Sequence, residues 1–376
     1  MTRHKRLAGL ITISLLTLTA CSQSAATTAP SVAAPAASSA AASSAAAPAS
    51  AVPAGSATAA KPAPFNAGPV KIAMVRQSGA GDYFQQWEMG AEKQAAAIGF
   101  QMQVYDAQAD NAKQATDMQT AMNSGVAGII VDHGLTSTMV PLINQAIAKG
   151  IPVVVYDVDG TQPPVVHTDQ SDADMATKDL TLMAQTIPDG AKIGYVNALG
   201  IAPLDRRNAV FQQFVKQHNW NVEFFVGKFT NAVATDNQVL VDAALKAHPD
   251  VQAIFAPYDE LTKGTVAAVI NNGLQKQIKV FGIDVSNADI QVMTAANSPW
   301  VATATTDPAG VGAAVVRTMA LKLAGSTTTE VMFPASLVTQ QFLLQNNIQN
   351  MDQLVTKIPS LLELDSSAAP WITPAY

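Results

Sequence analysis

From Val70 to Thr306 the chain repeats one pattern: a short, β-branched apolar run, then a longer stretch of helical period. The runs are VKIAMV, QMQVYDA, AGIIVD, IPVVVYD, KIGYVNA, VEFFVGKF, VQAIFAP, IKVFGID and WVATATT. Near-continuous apolar runs belong to parallel strands covered by helices on both faces, because a strand with one wet face alternates instead. The helical stretches stop repeatedly at glycine, at Gly99, Gly125, Gly150, Gly273 and Gly325. Glycine takes the left-handed cap conformation without a Cβ penalty, so these stops support the helix assignment independently of hydrophobicity. Nine strands of this kind predict an α/β protein with two doubly wound parallel-sheet lobes and a cleft. The first lobe starts at residue 69 and the second near residue 170.

Ligands of open α/β sheets bind beyond the carboxyl ends of the strands, where loops and helix N-termini converge. Asp132, Asp157, Asp169, Asp259 and Asp284 each close an apolar run, and Asn197, Arg206 and Thr306 join them. Asp259 reads equally as a helix cap. The first strand is followed by GDYFQQWEMG, which places Tyr83, Phe84 and Trp87 close together. Ionised carboxylates accept hydrogen bonds from neighbouring hydroxyls, and the C–H face of a sugar rests well on a flat ring. Tyr83 and Phe84 therefore fit a polyol site, whereas Trp87, one turn into the helix, fits the core.

Catalytic constellations are missing from the sequence. The five histidines (His4, His133, His167, His218 and His248) lack metal-ligand spacing, and there is no G-x-S-x-G elbow. GAGDYF begins like a dinucleotide fingerprint, but Phe84 occupies the third glycine position and would block close helix–strand packing. The carboxylates are spread over both lobes rather than paired as glycoside hydrolysis requires. The pattern favours binding without turnover, with no cofactor and no metal.

The two ends carry different information. Arg3, Lys5 and Arg6 precede the apolar run LAGLITISLLTLTA, a signal peptide too short to span a bilayer. It ends in LTAC, a lipobox pattern that makes Cys21, the single cysteine, a lipidation site and a membrane anchor. Residues 22–68, almost wholly Ala, Ser, Thr and Pro, read as a disordered tether. The net charge of −6 and the lack of a basic cluster beyond the signal argue against a nucleic-acid partner. At the other end Ile348, Met351, Val355, Ile358 and Leu362 recur at helical spacing, which predicts an extra amphipathic helix packed on one lobe.

Roughly residues 69–339 resemble the periplasmic solute-binding proteins of sugar ABC transporters, ribose-binding type, with the type I periplasmic binding fold. The resemblance is carried by AHPDVQAIFAPYDELTKGTVAAV, with VKIAMV, GDYFQQWEMGAEKQAAAIGF, NSGVAGIIVD, KGIPVVVYDVD and IKVFGID in the family's order. It implies a substrate-binding lipoprotein of an ABC importer, monomeric and exported to the outer side of a membrane. Such a protein captures a monosaccharide or related polyol between its lobes, without catalysis, and delivers it to permease subunits. A sensor for a sugar-derived signal, or a secreted sugar-active enzyme, are the competing expectations.

The family's ligand positions fall on Tyr83, Phe84, Asp132 (or His133 if the loop register slips), Asp157, Thr168, Arg206 or Arg207, Phe229, Asp284 and Thr306. Gln77 and Tyr258 fall on two further ligand positions. The chain departs from a ribose binder at four places. Val158 stands where arginine is expected, Tyr258 where asparagine, Gln77 where serine, and Thr306 where glutamine. Those changes point to another pentose, a hexose, a polyol or a sugar-derived signal. The resemblance also implies a three-crossing hinge, with crossings near 168–170, 305–308 and 334–337. The lobes would then comprise 69–168 plus 307–334 and 169–306 plus 335–376.

Overall fold

A computed structural model describes residues 59–362 and 367–376. The first sheet and its helices begin with β1 (Val70–Arg76), α1 (Asp82–Ile98), β2 (Phe100–Asp106), α2 (Asn111–Asn123) and β3 (Gly128–Asp132). α3 (Thr136–Ala148), β4 (Val153–Tyr156) and β5 (Val166–Gln170) follow. The second runs through α4 (Asp172–Thr186), β6 (Lys192–Val196), α5 (Ala202–His218), β7 (Asn221–Val226) and α6 (Val233–Ala247). It continues with β8 (Ala253–Ala256), α7 (Asp259–Asn271), β9 (Lys279–Ile283), α8 (Asn287–Thr294) and β10 (Trp300–Thr305). Then come α9 (Pro308–Leu323), β11 (Glu330–Phe333), β12 (Ser336–Thr339), α10 (Gln340–Gln345), α11 (Met351–Lys357) and a 3₁₀ turn at Pro359–Leu362.

Two six-stranded sheets result, ordered β11-β5-β4-β3-β1-β2 and β12-β10-β9-β8-β6-β7. All pairings are parallel except β10–β12. Side chains alternate across each strand, so both faces of the central strands are buried. In β1, Ile72 and Met74 join the cluster that includes Trp87 of α1 and Val315 of α9. Ala73 and Val75 join the opposite cluster, with Met118 of α2 and Ile143 of α3. In the second lobe Phe255 and Phe281 meet Phe211 of α5 and Met183 of α4.

The chain passes between the sheets after β5, between β10 and α9, and between β11 and β12. Three strands escape the apolar-run pattern: Val166–Gln170, Glu330–Phe333 and Ser336–Thr339. They are only four or five residues long, mix polar with apolar residues, and pair at or next to sheet edges, so little side-chain signal marks them. The expected C-terminal helix is also different. α10 and α11 pack near α8 and β12, but residues 367–376 return to the first lobe. Trp371 lies 5.0 Å from Phe65, and the Gln94 side chain donates to the Thr373 carbonyl. The expected tether likewise reaches too far, because residues 59–68 are described and Phe65 is buried between Phe100 and Trp371. Its remainder, the signal peptide and Cys21 lie outside the described residues.

Within α4, Asp179 is fully buried on the face shared with Met175, Ala176 and Met183, and neither carboxyl oxygen has a hydrogen-bond partner. Burial holds its carboxyl well above the usual range. A raised pKa means that the folded state binds the proton more tightly than the unfolded chain. Stability is therefore lost as pH rises from the unfolded value, about 4, toward the raised one. Asp179→Leu should be the more stable protein at neutral pH, by roughly 1–3 kcal/mol. Its advantage in melting temperature should shrink as pH falls toward 4. A constant difference across pH would mean that Asp179 has a partner in solution.

Candidate functional site

Three strands end in the same unusual way. His133 after β3, Asp157 after β4 and Asp284 after β9 have φ of 57°, 54° and 73°. Non-glycine residues seldom adopt this left-handed region, and those that do cluster at functional sites. Each is tied by its backbone N–H to the next strand, at Tyr156, Thr168 and Ala304 respectively. The bend turns all three side chains out of the sheets at their carboxyl ends.

Between the lobes lies a small cavity of about 20 Å³, room for little more than a water molecule with the lobes as close as they stand. Tyr83, Phe84 and His133 line it from the first lobe, with Gln170 at the first crossing. Phe229, Tyr258, Asp284 and Arg207 line it from the second, together with Ile201, Pro203 and Leu204 at the start of α5. The Phe84 ring stands edge-on to His133, centroids 5.2 Å apart, and lies 6.0 Å from Tyr258.

The polar atoms around this cavity are incompletely satisfied. Arg207 Nη1 donates to Asp284 Oδ2 at 3.1 Å and to the Pro257 carbonyl, while Asp284 Oδ1 has no partner. Tyr258 OH has none either, and burial holds that phenol well above its ordinary pKa. Asp157 Oδ2, fully buried, is unpartnered and 3.8 Å from His133 Nε2. Burial raises both carboxyls; Asp172 adds to the rise at Asp157, whereas Arg206 and Arg207 oppose it at Asp157 and Asp284 respectively. The lobes meet directly at the mouth, where Lys263 pairs with Asp82 at 2.5 Å and Glu260 accepts from the Asp82 N–H.

Of the expected positions, Tyr83, Phe84, His133, Arg207 (the alternative to Arg206), Phe229, Tyr258 and Asp284 line the cavity, and the others do not. Asp132 lies behind His133, held by Arg76 Nε at 3.0 Å, because the left-handed bend begins one residue later. Gln77 donates to Asn111 at the edge of α2. Thr168 is satisfied within the sheet by the Val155 carbonyl. Thr306 sits behind Tyr83, linking its hydroxyl at 3.1 Å to Gln170. Arg206 points away from the cavity, and Arg207 takes the inner place. Asp157 is not itself in the lining; its Oδ2 stands 3.8 Å from Nε2 of His133, which is. Asp259 is no side-chain cap, since both its oxygens lack a partner. Trp87 is fully buried and stacks on Tyr156, so it belongs to the core. Gln170, at the end of the short strand β5, and the apolar wall of Ile201, Pro203 and Leu204 at the start of α5 lie outside the expected set.

Residues 72–327 match the family model of the periplasmic binding protein domain. The chain is 27% identical over 207 residues to the ribose import binding protein of Bacillus subtilis, an alignment covering 54% of this chain and 65% of that protein, just under two thirds. Among solved structures it resembles the 5-methylthioribose transporter solute-binding protein of Thermotoga lettingae in complex with 5-methylthioribose. That likeness has 34% identity and a TM-score of 0.79, over 81% of this chain and 98% of that one. A sugar ABC transporter protein of Yersinia enterocolitica is 28% identical, with a TM-score of 0.81, over 85% of this chain and 98% of that one. The chain belongs to the periplasmic binding protein family, of the ribose-binding, type I kind.

Proposed function

We propose that this protein captures a sugar in the interlobe cleft, without turnover, and delivers it to the permease of an ABC importer, held to the membrane through lipidated Cys21. The observation that carries this reading is the set of partnerless buried groups, Asp284 Oδ1 and Tyr258 OH in the wall of a cavity lined by rings and Asp157 Oδ2 just behind His133 of that wall. Two carboxylate acceptors call for a ligand with at least two donors, and hydroxyl groups supply them. Donation to these oxygens favours the ionised form of carboxyls that burial otherwise disfavours.

The remaining wall gives the ligand a second character. Ile201, Pro203, Leu204 and Phe229 offer no polar side-chain atom, so a hydroxyl placed against them would lose its water without replacement. A pentose with one apolar substituent in place of a hydroxyl satisfies both halves of the cavity. The 5-methylthioribose bound by the Thermotoga relative is such a molecule.

Protein freed of bound ligand by unfolding and refolding should bind 5-methylthioribose roughly 10- to 200-fold more tightly than ribose, the usual span for one apolar contact. Titration calorimetry checks this, and Leu204→Asn should narrow the ratio. Equal affinity for the two sugars would remove the apolar subsite. No binding by any pentose, hexose or polyol would remove the sugar.

A further inference from the structure

Arg206, on α5 of the second lobe, directs most of its contacts into the first. Its Nη2 donates to Asp157 Oδ1, its Nη1 reaches Asp159 at 2.5 Å, and Asp169 Oδ1 stands 3.5 Å away. Only Asp172, bonded to Nε at 2.8 Å, lies on its own side, at the start of α4. Neither Arg206 nor any of these four aspartates is in the cavity lining; Asp157 alone stands beside it, through His133. We propose that Arg206 is a positioning residue that latches the lobes shut through the back of the Asp157 carboxylate. The ligand arm of this inference rests on the sugar-binding reading; the latch itself rests on the ion pairs.

Asp157 joins the two events. One oxygen is taken by Arg206 from the opposite lobe, and the other is free beside His133, which lines the cavity. The residue after it is Val158, so no cation on its own strand offsets the burial of this carboxylate. The neutralising charge has to come from across the cleft, and it arrives only when the lobes meet. A ligand hydroxyl on Oδ2 keeps Asp157 ionised, and the ionised form is what the guanidinium binds. Ligand and latch therefore reinforce each other through one side chain. Asp159 and Asp169 add two more carboxylates on the first lobe, giving the planar guanidinium a set of acceptors that a lysine could not match in geometry.

The test uses Arg206→Gln and Asp159→Asn, singly and together, since neither residue lines the cavity. The ligand arm measures 5-methylthioribose dissociation. Arg206→Gln should release it about tenfold or more faster with little change in association. Asp159→Asn should act in the same direction but less, and the pair should be clearly non-additive. The ligand-free arm uses the chain with Cys21→Ser, Ala80→Cys and Ala232→Cys, the last two positions lying in one groove at the cleft mouth. Cross-linking of that pair reports how often the lobes close, and Arg206→Gln should slow it several-fold. An unchanged cross-linking rate with a lowered melting temperature would overturn the latch, leaving Arg206 as a tie between α4 and α5 through Asp172. If no sugar binds but cross-linking slows, the latch stands and the sugar reading falls.

Discussion

Asp284→Asn should bind 5-methylthioribose roughly tenfold to a hundredfold more weakly than the parent protein. The figure follows from losing a charge-assisted hydrogen bond, about 1.5–3 kcal/mol. Asparagine is the informative replacement, because it tolerates the left-handed backbone that Asp284 adopts at φ 73°. It also keeps an oxygen toward Arg207 Nη1, now 3.1 Å from Asp284 Oδ2. What it removes is the negative charge behind Oδ1, the atom with no partner. The parent should also lose affinity as pH falls through the burial-raised pKa of this carboxyl, since protonation removes the charged acceptor. The asparagine variant should lack that part of the dependence. Calorimetric titration at two pH values, with melting temperatures as a control, measures both effects. Unchanged affinity would mean that Asp284 only orients Arg207, and would recentre the site on Asp157 and His133.

The largest effect on folding should come from Gly90→Val. α1 and α9 touch backbone to backbone: a Cβ on Gly90 would lie 1.9 Å from the Ala309 carbonyl oxygen. One on Gly312 would lie 2.0 Å from that of Trp87. No rotamer relieves a clash that begins at Cβ, so the helices must separate. Every contact between them and the first sheet then loosens, Trp87 on Tyr156 included. A cost of about 4 kcal/mol or more is expected, at the far end of single substitutions. That corresponds to a melting temperature lower by on the order of 10 °C. Gly125→Ala is the matching control, since its Cβ meets nothing within 4 Å and only the left-handed backbone at φ +72° resists it. If both variants melt alike, helix contact is not what Gly90 protects. Because α1 carries Tyr83 and Phe84 at its first turn, a Gly90→Val protein that does fold should also bind weakly.

Much of this architecture was legible in the chain. Repeated apolar runs and glycine stops announce parallel strands and helices, because burial on both faces and helix termination are local demands on composition. Tyr83 and Phe84 in the first turn of α1, and Asp284 after β9, all of which line the cavity, were legible as positions beyond a strand's carboxyl end. The short strands β5, β11 and β12 were not, since pairing with a neighbour rather than side-chain pattern makes them strands. Phe65 and Trp371 show the same limit at the termini. Each is a single large ring in a stretch with no strand or helix pattern; Phe65 is buried, and Trp371 half-buried, only because the other end of the chain returns to it.

The sequence by itself determined the class of fold and the loops that build the cleft, because these follow from the order of strands and helices. Only the tertiary structure decided which of two neighbours does each task. Asp132 or His133 hangs on where a left-handed bend begins, and Arg206 or Arg207 on about 100° of rotation around α5. Neither angle is written in residue type. The apolar wall at Ile201, Pro203 and Leu204 was also decided in three dimensions, since one lobe has to close on the other before those side chains enclose anything.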